Sequence, residues 1–317
     1  MTPPPARTHG PAGQASSGPS TPGTTRGDAA NALAAPKGRR AALARAHGAT
    51  LLFGASGIFG KLCQCSAPML VCGRAIFAVA ALTLAGLGKK QPPWRGLHAC
   101  DLLALTISGT LLAAHFVMFF MGIHIGGVAV GTLGFACFPA FTTLIESLIY
   151  RERPSFAEMR GLGMVTLGLV CTTPSFSFAH EGTVGLLLGV ASGLAYALVT
   201  VGNRRFAGHL PGLQTTWWQN TVTAVVLLPF VWRQFSTVST LDWLWIASLG
   251  LLCSALAYVL FINSLTVLKA RQAALIITLE PVYAIAAAWL VLGDAPGGRV
   301  FLGGGLILGA IFLANRR

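Results

Sequence analysis

Glu280 is the side chain most in need of an account. It stands inside a long apolar stretch, directly before Pro281. An ionisable group at such depth is expensive and is read first as functional. Proline lacks a backbone N–H, so the carbonyl of Ile277 loses its helical partner. A carboxylate beside freed backbone polarity suits an amine or a proton. It equally suits a structural carboxylate that pairs with a neighbouring helix and fixes the break. His115, in the middle of another apolar stretch, has a side chain that ordinarily titrates near neutrality; the other reading is a neutral imidazole bonded to a carbonyl across a helix interface. Arg74 could meet a substrate carboxylate, but like Lys61 it lies toward the end of its stretch, where long cationic chains snorkel outward. Glu146 is close enough to Arg151 and Arg153 to pair with them at an interface.

Two prolines, Pro139 and Pro281, interrupt corresponding stretches, and such paired interruptions point to the binding region of a transporter. Tyr196, Trp217, Trp218, Gln219, Tyr258, Asn263 and Tyr283 are the residues that could wall it with rings and hydrogen-bonding groups. For Trp217 and Trp218 an interfacial aromatic belt is the competing reading. Other chemistries are missing. There is no Walker motif, no Ser/His/Asp order and no redox pair. The seven cysteines are scattered, and no His or Cys cluster has zinc-ligand spacing. No metal, cofactor or catalytic residue is expected, and the chain is not read as an enzyme.

The elements that hold these residues are set by composition. Of 317 residues, 54% are hydrophobic and 10% charged, against roughly a quarter charged in soluble domains. Mean hydropathy is +0.69. Apolar stretches near the roughly 20 residues needed to cross a bilayer follow one another from about residue 46. Ten spans are expected, at about 46–64, 68–87, 101–123, 127–149, 156–174, 182–202, 212–232, 242–264, 269–292 and 297–314. Residues 1–45, rich in Pro, Gly, Ser and Thr, are expected to be a disordered cytoplasmic tail. The net charge of +13 does not imply nucleic-acid binding, because the cations lie mostly between stretches. With the N-terminus inside, the inner connections hold Lys89, Lys90, Arg95, Arg151, Arg153, Arg160, Arg204, Arg205, Lys269 and Arg271, and Arg316 and Arg317 end the chain inside. Lys61, Arg74, Arg233 and Arg299 fall in the outer half. That asymmetry follows the positive-inside rule and supports cytoplasmic termini.

The chain also repeats itself. One constant offset pairs Pro139 with Pro281, Leu148 with Leu290, Pro154 with Pro296, Gly161 with Gly303 and Gly163 with Gly305. "GASGIF" (Gly54 to Phe59) is similar to "GVASGLAY" (Gly189 to Tyr196). Two five-helix units, at 46–176 and 177–317, would enter the membrane from opposite sides because five is odd. Inverted repeats of this kind build many secondary transporters, whose halves rock around a midplane site.

The segments "LEPVYAIAAAWLVLGDAP" (Leu279 to Pro296), "FPAFTTLIESLIYRERPS" (Phe138 to Ser155) and "AAHFVMFFMGIHIGGVAVGTLGF" (Ala113 to Phe135) resemble the drug/metabolite transporter superfamily, in its EamA-domain branch. The resemblance covers nearly everything after the tail; Glu146 and the tail itself depart from it. It implies an all-α polytopic fold of ten helices in two inverted EamA repeats, multi-pass in a bacterial inner membrane. The implied function is secondary transport of amino acids, related metabolites or toxic compounds, commonly outward. Uptake of a small metabolite is the alternative within transport, and a membrane scaffold or signalling protein the alternative outside it. The expected partners are a small-molecule substrate and the lipid bilayer, with the chain a monomer or a homodimer. Reporter fusions at Arg95, His124 and Arg317 test the orientation: inside, outside and inside are expected, and an external signal at Arg317 overturns the ten-span count.

Overall fold

The computed structural model describes residues 26–150, 156–172, 179–203, 210–265, 276–277 and 279–314. Residues 1–38 and 39–317 are separate compact units, and the architecture that follows is that of the second. Among the described residues the regular structure is helical throughout. Hydrocarbon imposes this, because a helix closes its backbone hydrogen bonds within itself.

The helices are α1 (Arg26–Leu62), α2 (Ala67–Gly88), α3 (Ala99–Gly126), α4 (Val128–Phe135), α5 (Phe138–Tyr150), α6 (Phe156–Thr172), α7 (Glu181–Gly202), α8 (Gly212–Val231), α9 (Thr240–Ser248), α10 (Ala257–Leu265), α11 (Glu280–Leu292) and α12 (Gly298–Ala314). A π-helical stretch, Leu249–Leu256, joins α9 to α10. Among the described residues, five segments are long and apolar enough to cross a membrane: Ala67–Gly88, Ala99–Gly126, Val128–Ile149, Glu181–Gly202 and Thr240–Phe261. Met159–Cys171, Glu280–Leu292 and Gly298–Ala310 are apolar but shorter.

The tail needs a correction. Helix α1 begins at Arg26, inside the segment assigned to disorder. Residues 28–45 are rich in Ala, Leu and Arg, which are among the strongest helix formers. The Pro, Gly, Ser and Thr bias belongs to the residues before it.

Both prolines stand in the first turn of a helix, following a break. The fourth apolar stretch stops at Phe135, turns through Ala136 and Cys137, and restarts as α5 with Pro139 in its first turn. Leu279 is a turn residue, and α11 starts with Pro281 at its first positions. A first-turn proline gives up an N–H that had no intrahelical partner anyway. The offset carrying Pro139 onto Pro281 also carries Phe138–Tyr150 onto Glu280–Leu292 and Phe156–Thr172 onto Gly298–Ala314. The sequence repeat is thus a repeat of helix boundaries. Equivalent helices meet: α6 packs on α12, and α2 on α8.

Helix α7 is held against α3 and α4 by glycines that let backbones touch. A Cβ on Gly185 would lie 2.5 Å from the Gly126 Cα, and one on Gly189 would lie 2.5 Å from the Gly131 carbonyl oxygen. Small residues at such seams replace hydrophobic collapse as the means of association in lipid. Glycines on α12 divide by face. Gly303 is buried, and its carbonyl oxygen would lie 2.8 Å from a Cβ on Gly168 of α6, whereas Gly305 is exposed with open space beside it. The cysteines pack as small apolar residues: Cys63, Cys72, Cys137 and Cys253 are buried free thiols. Lys61 donates to the His124 carbonyl at 3.1 Å, so it satisfies the end of α3.

Gly185→Val should prevent α7 from docking on α3, with little folded protein recovered, since backbone atoms cannot move aside as a side-chain tip can. Gly305→Ala should be recovered at normal yield. Size-exclusion profiles of the detergent-extracted variants check both, and a monodisperse Gly185→Val protein contradicts the seam.

Candidate functional site

Arg74 on α2 is 4% exposed. The outward reach expected of it does not occur, because three neighbours hold the guanidinium inside. Its Nε and Nη2 donate to Ser254 Oγ at 3.1 and 2.7 Å. Its Cζ lies 3.9 Å from the ring centroid of Phe116 and 5.6 Å from that of Phe120, both on α3. A desolvated cation over an aromatic face gains about 2 kcal/mol.

The π-helical stretch explains how Ser254 can serve twice. Its hydroxyl donates to the Leu249 carbonyl at 3.0 Å, five residues back. A serine has one O–H donor and two lone pairs, so with the proton committed to Leu249 both lone pairs remain for Arg74. Gly250 permits this approach: a Cβ there would lie 2.7 Å from the Arg74 carbonyl oxygen and 2.5 Å from Phe77 Cβ. π turns within helices occur disproportionately at functional sites.

One guanidinium nitrogen is left over. Arg74 Nη1 is buried and has no hydrogen-bond partner. Glu280, at the start of α11, lies within electrostatic reach of Arg74, without a hydrogen bond between the two. Glu280 is half-buried, and Tyr196 also lies within its field.

A run of ring contacts continues from Phe116. His115 and Phe116 are 4.6 Å apart by centroid, His115 and Tyr196 4.8 Å, Phe135 and Phe138 5.2 Å, and Phe138 and Tyr196 5.4 Å. Phe116, Phe138 and Tyr196 are only partly buried, whereas Phe135 is buried behind them. Elements α2, α3, α4, α5, α7 and the π-helical stretch are thus linked through contacts running from Arg74 to partly buried rings, with the Glu280 carboxyl of α11 within electrostatic reach.

The remaining candidates are placed otherwise. His115 is buried, with Nδ1 2.8 Å from Ser192 Oγ and 3.1 Å from the Ser192 carbonyl oxygen. This is the bond across a helix interface, between α3 and α7. Trp218 donates its indole N–H to the Pro93 carbonyl at 3.1 Å, and Trp217 donates to Thr83 Oγ1 at 2.7 Å. Gln219 donates to Ser108 Oγ at 3.0 Å and to Asn203 Oδ1 at 2.8 Å. These three residues fasten α8 to its surroundings. Tyr283 lies 3.1 Å by its hydroxyl from His47 Nδ1 on α1. The side chains of Asn263 and Glu146 lie outside the described residues. Sequence reasoning missed Ser254, Phe116 and Phe138. Ser254 carried no signal, because winding by an extra residue per turn leaves no mark in an apolar pattern. Phe116 had one, standing next to His115 in a ring-rich run.

The model of the EamA-like transporter family matches residues 42–173 and again residues 183–316. The chain belongs to this family. The EamA match is thus doubled along one chain, and the protein is a membrane transporter. It is 24% identical over 250 residues to an uncharacterized transporter, YxxF, of Bacillus subtilis (strain 168), covering 78% of this chain and 80% of that one. It is 25% identical over 249 residues to a "Probable terminal-alkyne amino-acid exporter" of Streptantibioticus cattleyicolor, covering 76% and 81%. A solved crystal structure shares the EamA chain's fold with a TM-score of 0.61 at 18% identity, covering 86% of this chain and 96% of the other.

The His115–Ser192 bond is a structural tie, so Ser192→Ala should lower stability by about 1–3 kcal/mol, the range for disturbing a buried hydrogen bond. The detergent-solubilised variant should melt several degrees lower. Unchanged melting would mean that the bond does not hold α3 to α7.

Proposed function

We propose that the protein is a secondary transporter that exports amino acids or closely related small metabolites by alternating access between two inverted repeats. The observation that carries this is the buried Arg74, with one nitrogen unpartnered, in the electrostatic field of half-buried Glu280. Charges of both signs at one locus suit a small molecule that carries both. A relative named as an amino-acid exporter and the pairing of α5 with α11 and α6 with α12 under one offset support the same reading. In it the chain crosses a bacterial inner membrane ten times with both termini cytoplasmic, and the short apolar helices α6, α11 and α12 count among the spans. The bends before Pro139 and Pro281 supply flexure on either side of the site. The energy comes from an ion or substrate gradient.

Cells with and without the protein should differ in the distribution of one or a few amino acids or close relatives, accumulated inside when it is lost. Purified protein in liposomes should move those compounds. Glu280→Gln should reduce that transport at least tenfold while leaving the amount of folded protein in the membrane near normal. Normal turnover at normal expression removes Glu280 from the transport cycle, and an unchanged metabolite profile overturns the export reading.

A further inference from the structure

Resting on that reading, we propose that Arg74 Nη1 is the anchor for the carboxylate of a zwitterionic α-amino acid, with Glu280 facing its ammonium and the partly exposed rings of Phe116, Phe138 and Tyr196 taking an apolar or aromatic side chain.

An unpaired guanidinium nitrogen in a low-dielectric interior is rare, since buried polar groups are otherwise bonded. Here it is also specific. The other two nitrogens are used on one serine oxygen, and the plane is pinned over Phe116 at 3.9 Å. The guanidinium cannot rotate to satisfy Nη1 without breaking both Ser254 bonds. The group that completes it must come from outside the described protein, must accept, and gains most by carrying negative charge. Glu280 would be the natural acceptor, yet it does not bond Arg74. Arg74 and Glu280 thus interact electrostatically without bonding, and a molecule offering a carboxylate to one and an ammonium to the other would bridge them. A simple anion would be repelled by Glu280, and a simple amine by Arg74.

The rings decide the rest of the molecule. Phe138 and Tyr196 meet edge to face at 5.4 Å, and both keep accessible surface. Phe138 meets the rings of Phe135 and Tyr196, and Tyr196 also meets His115. The phenyl rings of this wall suit an apolar side chain. Phe116 lies over the guanidinium, and Nη1 is sealed from solvent, so the anchor is covered in this conformation and is uncovered as substrate enters. Ser254 acts as a positioning residue, through Arg74.

The test is competition for labelled L-phenylalanine on the purified full-length protein in detergent. The competitors are unlabelled L-phenylalanine, phenethylamine, which lacks the carboxylate, and 3-phenylpropionate, which lacks the ammonium. Wild type should bind L-phenylalanine saturably and prefer it at least tenfold over either analogue. Arg74→Gln should erase the preference over phenethylamine and keep the preference over 3-phenylpropionate. Glu280→Gln should do the reverse. Arg74→Lys retains the charge without the fork and controls for folding; it should recover part of the preference. Ser254→Ala should weaken L-phenylalanine and 3-phenylpropionate together, leaving phenethylamine unchanged. Equal competition by all three compounds in wild type, or an intact carboxylate preference in folded Arg74→Gln, overturns the anchor. An absence of saturable L-phenylalanine binding overturns the substrate class. If liposomes still move a compound identified from the cell comparison, the carrier reading survives either result; if nothing is moved, that reading fails by its own experiment.

Discussion

Hydrocarbon offers a polar group no partner, so the protein itself must answer each hydroxyl, amide and charge that its helices carry across. The described helices do this locally wherever they can. Thr83, Thr106, Thr110, Thr132, Thr142, Thr143, Thr200 and Thr221 each return a hydroxyl to the carbonyl four residues earlier. Of these, Thr83 also accepts from Trp217 across a helix interface. The side chains that cannot be answered locally pull helices together instead: His115 onto Ser192, Gln219 onto Ser108, Trp217 onto Thr83, and Arg74 onto Ser254. Arg74 Nη1 breaks the pattern. Among the described residues it shares that condition with Thr216 Oγ1, the other buried side-chain atom without a hydrogen-bond partner.

The same constraint explains the use of glycine. Lipid tails are as apolar as leucine, so burial of greasy surface gives helices little reason to associate. Close backbone contact along α3, α4 and α7 supplies the dispersion contacts that water would otherwise make unnecessary. Large residues fill what remains, with Phe120, Met69, Leu70 and Ile123 fully enclosed, while many exposed leucines face outward as lipid requires.

How much of this was legible depended on the kind of signal. Apolar length announces a helix without any knowledge of its neighbours, so the helical class and the order of stretches were readable. Prolines fix backbone geometry at their own position, so the breaks before Pro139 and Pro281 were readable too, and the constant offset gave the repeat. The start of α1 was misread because a few prolines and glycines coloured a stretch that turns alanine-rich by residue 28. Side-chain direction was the larger gap. Trp218 and Gln219 have the chemistry of site residues, but α8 aims them at Pro93 and Ser108. Arg74 has the reach of a long cationic chain, and the tertiary neighbours Ser254, Phe116 and Phe120 hold it inside.

The glycine seam has a mechanical consequence. Where a side chain separates two helices, its rotamers give the contact some play, and a small slide can be absorbed by a flip of χ1. Between Gly185 and Gly126, or Gly189 and Gly131, there are no rotamers to flip. Helices α3, α4 and α7 are clasped backbone to backbone there, so a slide at either contact is not absorbed by a side-chain flip. The contact continues past the turn through Ala136 and Cys137, where a Cβ on Gly193 of α7 would lie 3.1 Å from the Phe135 carbonyl oxygen and 3.2 Å from Cys137 Sγ. Gly193 is within one turn of Tyr196, whose ring meets Phe135 and Phe138 at 5.6 and 5.4 Å, so the backbone contact also sets the spacing of those rings.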